Sequence, residues 1–263
     1  MTTVSPRLRM FAGPNGSGKS TIFSAVNNSQ RYHWSVQPNY IPPENYINPD
    51  EIVLAYNVES VMAGRIAIEK IRSHLANSSD FAIETTFSGL TYLRYIQEAA
   101  EKGYRIYIIY MFLDSEELSM LRVAQRAFLG KHYIAMADIQ RRYAQSLKNF
   151  FERYAACAYF WLVVDNCRME IAPLCWGGHF FKGSMCSNDP EKLEILKGHL
   201  RDKGITPYWA KQQVYADSSS VEVFHAIRNS VLAEVSRRPM ENRVAVSLDG
   251  KIVFVNPVRR VDS

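Results

Sequence analysis

The segment Gly13-Pro-Asn-Gly-Ser-Gly-Lys-Ser20 has the spacing G-x-x-x-x-G-K-[ST], a pattern suited to holding phosphate. Glycines at 13, 16 and 18 let the backbone turn so that successive N–H groups point into one concavity. The positive end of a following helix adds to their field. In such a loop Lys19 reaches the terminal phosphates as a point charge, and the Ser20 hydroxyl ligates Mg²⁺. Thr21 is expected to bond the α-phosphate side. Gly13, Asn15, Gly16, Ser17, Gly18, Lys19, Ser20 and Thr21 are therefore the expected nucleotide-binding residues, with ATP or GTP and Mg²⁺ as their ligands.

The loop does not say what receives the phosphate. Phosphoryl transfer is mostly positioning and charge neutralisation, with one carboxylate to accept the acceptor hydroxyl's proton. Two segments offer carboxylates. Tyr46-Ile-Asn-Pro-Asp-Glu51 puts Asp50 and Glu51 at the start of a helix, where Asp50 reads either as a base or as an N-cap after Pro49. Glu84 lies inside the otherwise apolar run Phe81–Thr85, and a buried carboxylate is costly unless it is paired or holds a metal or substrate. Arginine is the third ingredient. Arg122 and Arg126 stand four apart, hence on one helix face, and Arg141 and Arg142 follow in the next helix. Adjacent helical residues diverge by about 100°, so at most one of that second pair faces a site. The arginines form either a solvated basic face or a lid that neutralises a transferring phosphate.

The elements that must position these groups follow from hydrophobic patterning. Leu8–Ala12, Phe81–Thr85, Ile106–Leu113 and Phe160–Val164 are compact apolar runs, as parallel strands covered on both faces are. Helices are expected at Lys19–Val26, Ser60–Ala76, Gly89–Lys102, Ser115–Gly130 and Met136–Tyr154. In Ser60–Ala76 the expected inner side is Val61, Ile68, Ile71 and Leu75. Strands alternating with such helices predict an α/β fold with a mostly parallel sheet. Gln30–Glu44 reads as a surface excursion and Cys175–Asp189, dense in Gly, Cys and Ser, as irregular. Helices at Pro190–Lys203 and Val221–Arg237 and a hairpin turning at Asp249-Gly250 complete the pattern. The expected division is a kinase-type core with its lid at 1–174 and an extension packed on it at 175–263.

Composition narrows the function classes. The 263 residues are 47% hydrophobic and 22% charged, which excludes a disordered tail or a coiled-coil rod. A net charge of 31 − 26 = +5 permits an anionic small molecule and argues against a nucleic-acid channel. No apolar run approaches the roughly 18 residues of a membrane span, and the first residues lack a signal peptide's apolar stretch. Four cysteines are too few for a disulfide scaffold, so a cytoplasmic setting is expected. Cys167, Cys175, His179 and Cys186 include no C-x-x-C pair, which disfavours zinc. Tyr154–Trp161 reads as core rather than a base-stacking platform.

Taken in order, Ala12–Thr21, Asn48-Pro-Asp-Glu51, Ile83-Glu-Thr-Thr-Phe-Ser88, Arg122-x-x-x-Arg126, His132, Arg141-Arg-Tyr143 and Asp165-Asn166 resemble the zeta toxin family of P-loop kinases, over about residues 8–170. Gly130-Lys131 stands where that family usually has a glycine pair before the lid histidine. The resemblance implies that Lys19 contacts the phosphates, that Asp50 is the general base, and that Glu84 and Thr86 help hold the acceptor or the metal. Arg122, Arg126 and Arg142 would be the lid cations. It implies a sugar-nucleotide acceptor, the 3′-hydroxyl of UDP-N-acetylglucosamine being the type, poisoning of wall-precursor synthesis, and a separate small antitoxin partner. With twelve residues ahead of the loop, no antitoxin domain is expected to be fused at that end. Two other readings use the same loop: a regulatory NTP switch and a nucleic-acid-end kinase.

Overall fold

Period-2 burial organises the chain. The computed structural model describes residues 5–27, 41–128, 135–167, 172–179, 185–187, 189–210, 214–215, 244–248 and 251–255. In strand β1 (Arg7–Ala12), Leu8, Met10 and Ala12 enter one apolar cluster and Phe11 another. The same alternation recurs in β3 (Phe81–Thr85), β4 (Arg105–Phe112) and β5 (Phe160–Asp165), so the sheet is buried on both faces. Together with β2 (Tyr46–Ile47) these strands pair in parallel in the order β2-β3-β1-β4-β5. The expected α/β class with a mostly parallel sheet is the class observed.

Helices α1 (Lys19–Asn27), α2 (Pro49–Tyr56), α3 (Ser60–Ala76), α4 (Thr91–Glu101), α5 (Glu116–Phe128) and α6 (Met136–Asn149) connect the strands. Within α3 the buried stripe is Ala63, Ala67, Ile71 and Leu75, whereas Val61 is 69% exposed. Val61 lies two residues before Ala63 and therefore about 200° around the helix from it. The single helix expected over Met136–Tyr154 changes character at Phe150. Residues Phe150–Tyr154 form a π-helical turn, which turns Phe150, Phe151 and Tyr154 all inward. Phe150 stacks on Tyr110 at 4.1 Å, and Phe87 on Tyr154 at 3.9 Å, so this aromatic stretch is core.

Within Cys175–Asp189, described residues form strands where irregular chain was expected. Strand β6 (Ala172–Gly177) pairs antiparallel with β5, and β7 (Met185–Cys186) pairs antiparallel with β6. Gly, Cys and Ser density suggested a loop, but Leu174, Cys175 and Trp176 are buried and extend the sheet. A division at 174/175 thus falls inside β6. Helix α7 (Pro190–Asp202) starts from the Asp189 cap and stops before Gly204, at φ +65°. Strand β8 (Val214–Tyr215) pairs with β7, and β9 (Val244–Leu248) with β10 (Lys251–Val255) as an antiparallel ribbon. The helix expected at Val221–Arg237, most of the Gln30–Glu44 excursion, the Asp249-Gly250 turn and His132 lie outside the described residues. No helix among the described residues is long and apolar enough to cross a membrane.

Candidate active site

Strand β1 lies between β3 and β4, so the loop after Ala12 leaves the middle of the sheet at its carboxyl edge, where ligands of open α/β sheets bind. Its geometry demands glycine. Gly13 has φ +141°, and a Cβ there would lie 2.4 Å from Met111 O and 2.8 Å from Ser17 Oγ. A Cβ on Gly16 would come within 2.9 Å of Arg122 Cβ, so α5 packs directly on the loop. Two tertiary hydrogen bonds brace the loop backbone. Buried Ser119 of α5 donates to Asn15 O at 2.6 Å, and Asn166, just after β5, donates to Ser17 O at 2.8 Å. The Ser17 hydroxyl and the Asn15 side-chain oxygen are buried without a hydrogen-bond partner among the described residues. A braced loop with a buried, unpartnered Ser17 hydroxyl to donate, leading into a helix N-terminus, fits a polyphosphate.

Lys19 is the electrostatic centre. Its ammonium donates to Pro14 O at 3.0 Å. Burial pushes its pKa down, the Glu84 and then the Asp50 carboxylate push it up, and Arg126 lowers it again. The structure therefore brings Lys19, Glu84, Asp50 and Arg126 into one field, from α1, β3, α2 and α5 respectively.

Glu84, 7% exposed at the end of β3, is bonded on both oxygens. Ser20 Oγ donates to Oε1 at 3.1 Å, and the Tyr46 hydroxyl donates to Oε2 at 2.5 Å. Burial and the neighbouring Glu84 charge hold the Tyr46 phenol protonated, far above its ordinary range. Ser20 Oγ and Glu84 Oε1 are hard oxygen donors converging beside the phosphate loop, which suits Mg²⁺.

Asp50 is not the helix cap. Asn48 caps α2, its side-chain oxygen accepting from Asp50 N at 3.0 Å. The Asp50 carboxylate is left exposed beside the loop, and Tyr92, pushed up to about 12 mainly by burial, also feels its charge. Glu51 is raised by partial burial and by Glu84. After β3 the backbone turns at Phe87, φ +53°, a costly conformation for a bulky residue. Stacking on Tyr154 and an Asn149-to-Phe87 O bond of 2.8 Å hold it. The turn sets Thr86 and Ser88 together, hydroxyl to hydroxyl at 2.8 Å.

The arginines separate. Arg126 is exposed and acts on Lys19. Arg122 packs on Gly16, and its guanidinium, lowered by burial, faces Cys167, Asp114 and Asp165. On α6, Arg141 pairs with Asp138 at 2.9 Å on the exposed side, and half-buried Arg142 also acts on Asp138. Thr21 is half-buried on α1. Sequence reasoning did not single out Tyr46, Tyr92 or Ser119. Their jobs depend on contacts 38 to 104 residues distant in the chain for Tyr46 and Ser119, which local spacing does not reveal.

No family model matches the chain. Over 133 residues it is 29% identical to a Haemophilus influenzae protein described as uncharacterized, covering 51% of this chain and 89% of that one. Its fold is similar to the AvrRxo1-ORF1:AvrRxo1-ORF2 complex solved with ATP (TM-score 0.53, 11% identity, 89% of this chain and 81% of that one). It is likewise similar to that complex with sulphate ions (TM-score 0.52, 12% identity, 89% and 81%). A structure of the Streptococcus pneumoniae PezAT toxin–antitoxin system matches at TM-score 0.45 and 17% identity, over 63% of this chain and 70% of that one. The fold shared with the AvrRxo1 complexes is α/β, a mostly parallel sheet flanked by helices with the glycine-rich loop after β1, the fold class that the zeta toxin resemblance implied.

Proposed function

We propose that this chain is a zeta-toxin-like kinase that transfers the γ-phosphate of ATP or GTP to a hydroxyl of a small metabolite, a sugar nucleotide such as UDP-N-acetylglucosamine. The observation that carries the reading is the buried Glu84 carboxylate tied to Ser20 of the phosphate loop, with the non-capping Asp50 and with Arg126, whose charges act on buried Lys19. A nucleotide switch has no use for an exposed carboxylate that Asn48 has relieved of capping, whereas an acceptor hydroxyl does. Asp50 takes the acceptor's proton as the new O–P bond forms and the bond to the β-phosphate oxygen breaks, releasing the nucleoside diphosphate. Lys19 and Arg126 balance charge on the transferring phosphoryl group, and Arg122 and Arg142, which act on Asp114, Asp165 and Asp138 in the free chain, would have to turn toward the phosphates to serve as further lid cations. Ser20 and Glu84 would hold Mg²⁺, which neutralises phosphate charge when bound. Thr86, with its hydroxyl on the turn after β3, would contact the acceptor. The reading carries a cytoplasmic setting and a separate antitoxin partner. In support of the latter, both similar AvrRxo1 structures are of a two-protein complex, AvrRxo1-ORF1:AvrRxo1-ORF2.

The test is incubation with ATP, Mg²⁺ and a panel of UDP-sugars, read by mass spectrometry. A UDP-sugar that gains one phosphate with the parent chain and not with Asp50→Ala supports both activity and base. ATP hydrolysis with no UDP-sugar gaining mass would reject the sugar-nucleotide acceptor, and the acceptor would then have to be sought elsewhere.

A further inference from the structure

We propose that Tyr46 is a positioning residue that fixes which oxygen of Glu84 faces a nucleotide-bound Mg²⁺; this rests on the metal-holding role given to Ser20 and Glu84 above. The two carboxylate oxygens have divided partners. Oε2 accepts from the Tyr46 hydroxyl at 2.5 Å, and Oε1 accepts from Ser20 Oγ at 3.1 Å, on the side of the phosphate loop. A glutamate has three rotatable bonds, and left alone it would sample orientations that aim neither oxygen at Ser20. Tyr46 removes that freedom because it is itself immobilised. It is 8% exposed, paired with Ala82 in the β2–β3 ladder, and stacked on Phe23 with ring centroids 3.7 Å apart and planes 2° from parallel. Period-2 alternation puts Glu84 on the same face as Ala82, the face that Tyr46 and Phe23 cover. Asn48, which caps α2, points its amide toward the same hydroxyl at 3.5 Å. Tyr46 thus ties the acceptor-side helix to the metal-side carboxylate without touching substrate. Hydrogen-bond partners of metal-ligating carboxylates set ligand orientation, and losing one costs about 10- to 100-fold in metal affinity or activity.

Tyr46→Phe tests this, since it keeps the ring and its stack and deletes only the hydroxyl, the donor to Glu84 and a long-range acceptor from Asn48. The readouts on the full chain are Mn²⁺ binding in the presence of ATP, followed by the electron paramagnetic resonance of free Mn²⁺, metal-free ATP binding, and the Mg²⁺ activation curve for ATP turnover. Mn²⁺ affinity is expected to fall about tenfold and the half-activating Mg²⁺ concentration to rise by a similar factor. Metal-free ATP binding should stay within about twofold of the parent. Unchanged Mn²⁺ affinity overturns the proposal. So does a variant that loses metal-free ATP binding as well, which would make Tyr46 a structural residue of the loop. Glu84→Gln is run in parallel: if it leaves Mn²⁺ affinity intact, the metal role of Glu84 itself fails. If it weakens Mn²⁺ while Tyr46→Phe does not, only the positioning role fails.

Discussion

Replacing Ser119 by Ala isolates the brace on the phosphate loop. The Ser119 hydroxyl is fully buried and donates to Asn15 O at 2.6 Å, across a helix–loop contact where Gly16 leaves no room for a side chain. Alanine removes the donor and one oxygen's volume, leaving a buried carbonyl whose desolvation is uncompensated, at about 1–3 kcal/mol. Where that cost appears depends on the loop. If the loop holds one conformation with and without nucleotide, the variant unfolds more easily by that amount and ATP binds with unchanged affinity. If the free loop relaxes to rehydrate Asn15 O, the cost moves to binding and ATP affinity falls about 5- to 150-fold at about 1.36 kcal/mol per tenfold. Ser17 O keeps its own tie to Asn166, so the two losses should sum to roughly the 1–3 kcal/mol of one bond. Urea unfolding and calorimetric titration with ATP measure both parts. A variant unchanged in both would refute the inference that α5 preorganises the loop.

Asp50→Ala should lower transfer by about 10²- to 10⁴-fold with ATP affinity nearly intact, and surviving transfer in a coupled assay would reject it as base. Arg126→Ala should reduce kcat without loss of stability, because that side chain is exposed, whereas Arg122→Ala removes a half-buried cation that acts on Asp114 and Asp165 and should also destabilise the fold; equal melting losses would contradict the separation. Lys19, whose pKa burial depresses, binds fewer protons folded than unfolded below its ordinary value, so nucleotide-free stability should rise with pH through that window. Lys19→Met should abolish the rise, together with ATP binding and transfer, and an identical pH–stability curve in both chains would show that the buried lysine is not responsible. Cys175, fully buried and with its thiol pushed well above the ordinary range, should resist iodoacetamide until the chain unfolds, as peptide mapping after labelling would reveal.

What could be read ahead of the structure was what chemistry writes locally. The phosphate loop is one contiguous segment whose glycines are required by its own turns. Glu84 stood out because a carboxylate in Phe81–Thr85 contradicts its neighbours, and the contradiction is resolved by Ser20 and Tyr46 rather than by solvent. The strands emerged for the same reason, since unbroken apolar runs have few alternatives. Strand β6 did not, because Pro173, Gly177 and Gly178 dilute its signal and its burial depends on pairing with β5. The helix at Met136–Tyr154 ran on in prediction because periodicity registers apolar residues but not the π turn that lets Phe150, Phe151 and Tyr154 all face inward.

Asp50 shows how a local ambiguity is settled by competition for one job. Both Asn48 and Asp50 can cap a helix, and only one N–H set needs a cap. Pro49 at the first helical position leaves Asn48 as the extended residue whose oxygen reaches Asp50 N. Had Asp50 been the cap, its carboxylate would have been bound to backbone and its basicity spent there. Because asparagine occupies the cap, the charge stays available beside Lys19, and the same asparagine reaches the Tyr46 hydroxyl that orients Glu84. Asn48→Asp should therefore preserve the cap yet add a further carboxylate beside Asp50, Glu51 and Glu84. Transfer should weaken while helix α2 stays intact by circular dichroism, and an unaffected rate would mean that the neutrality of position 48 does not matter to the site.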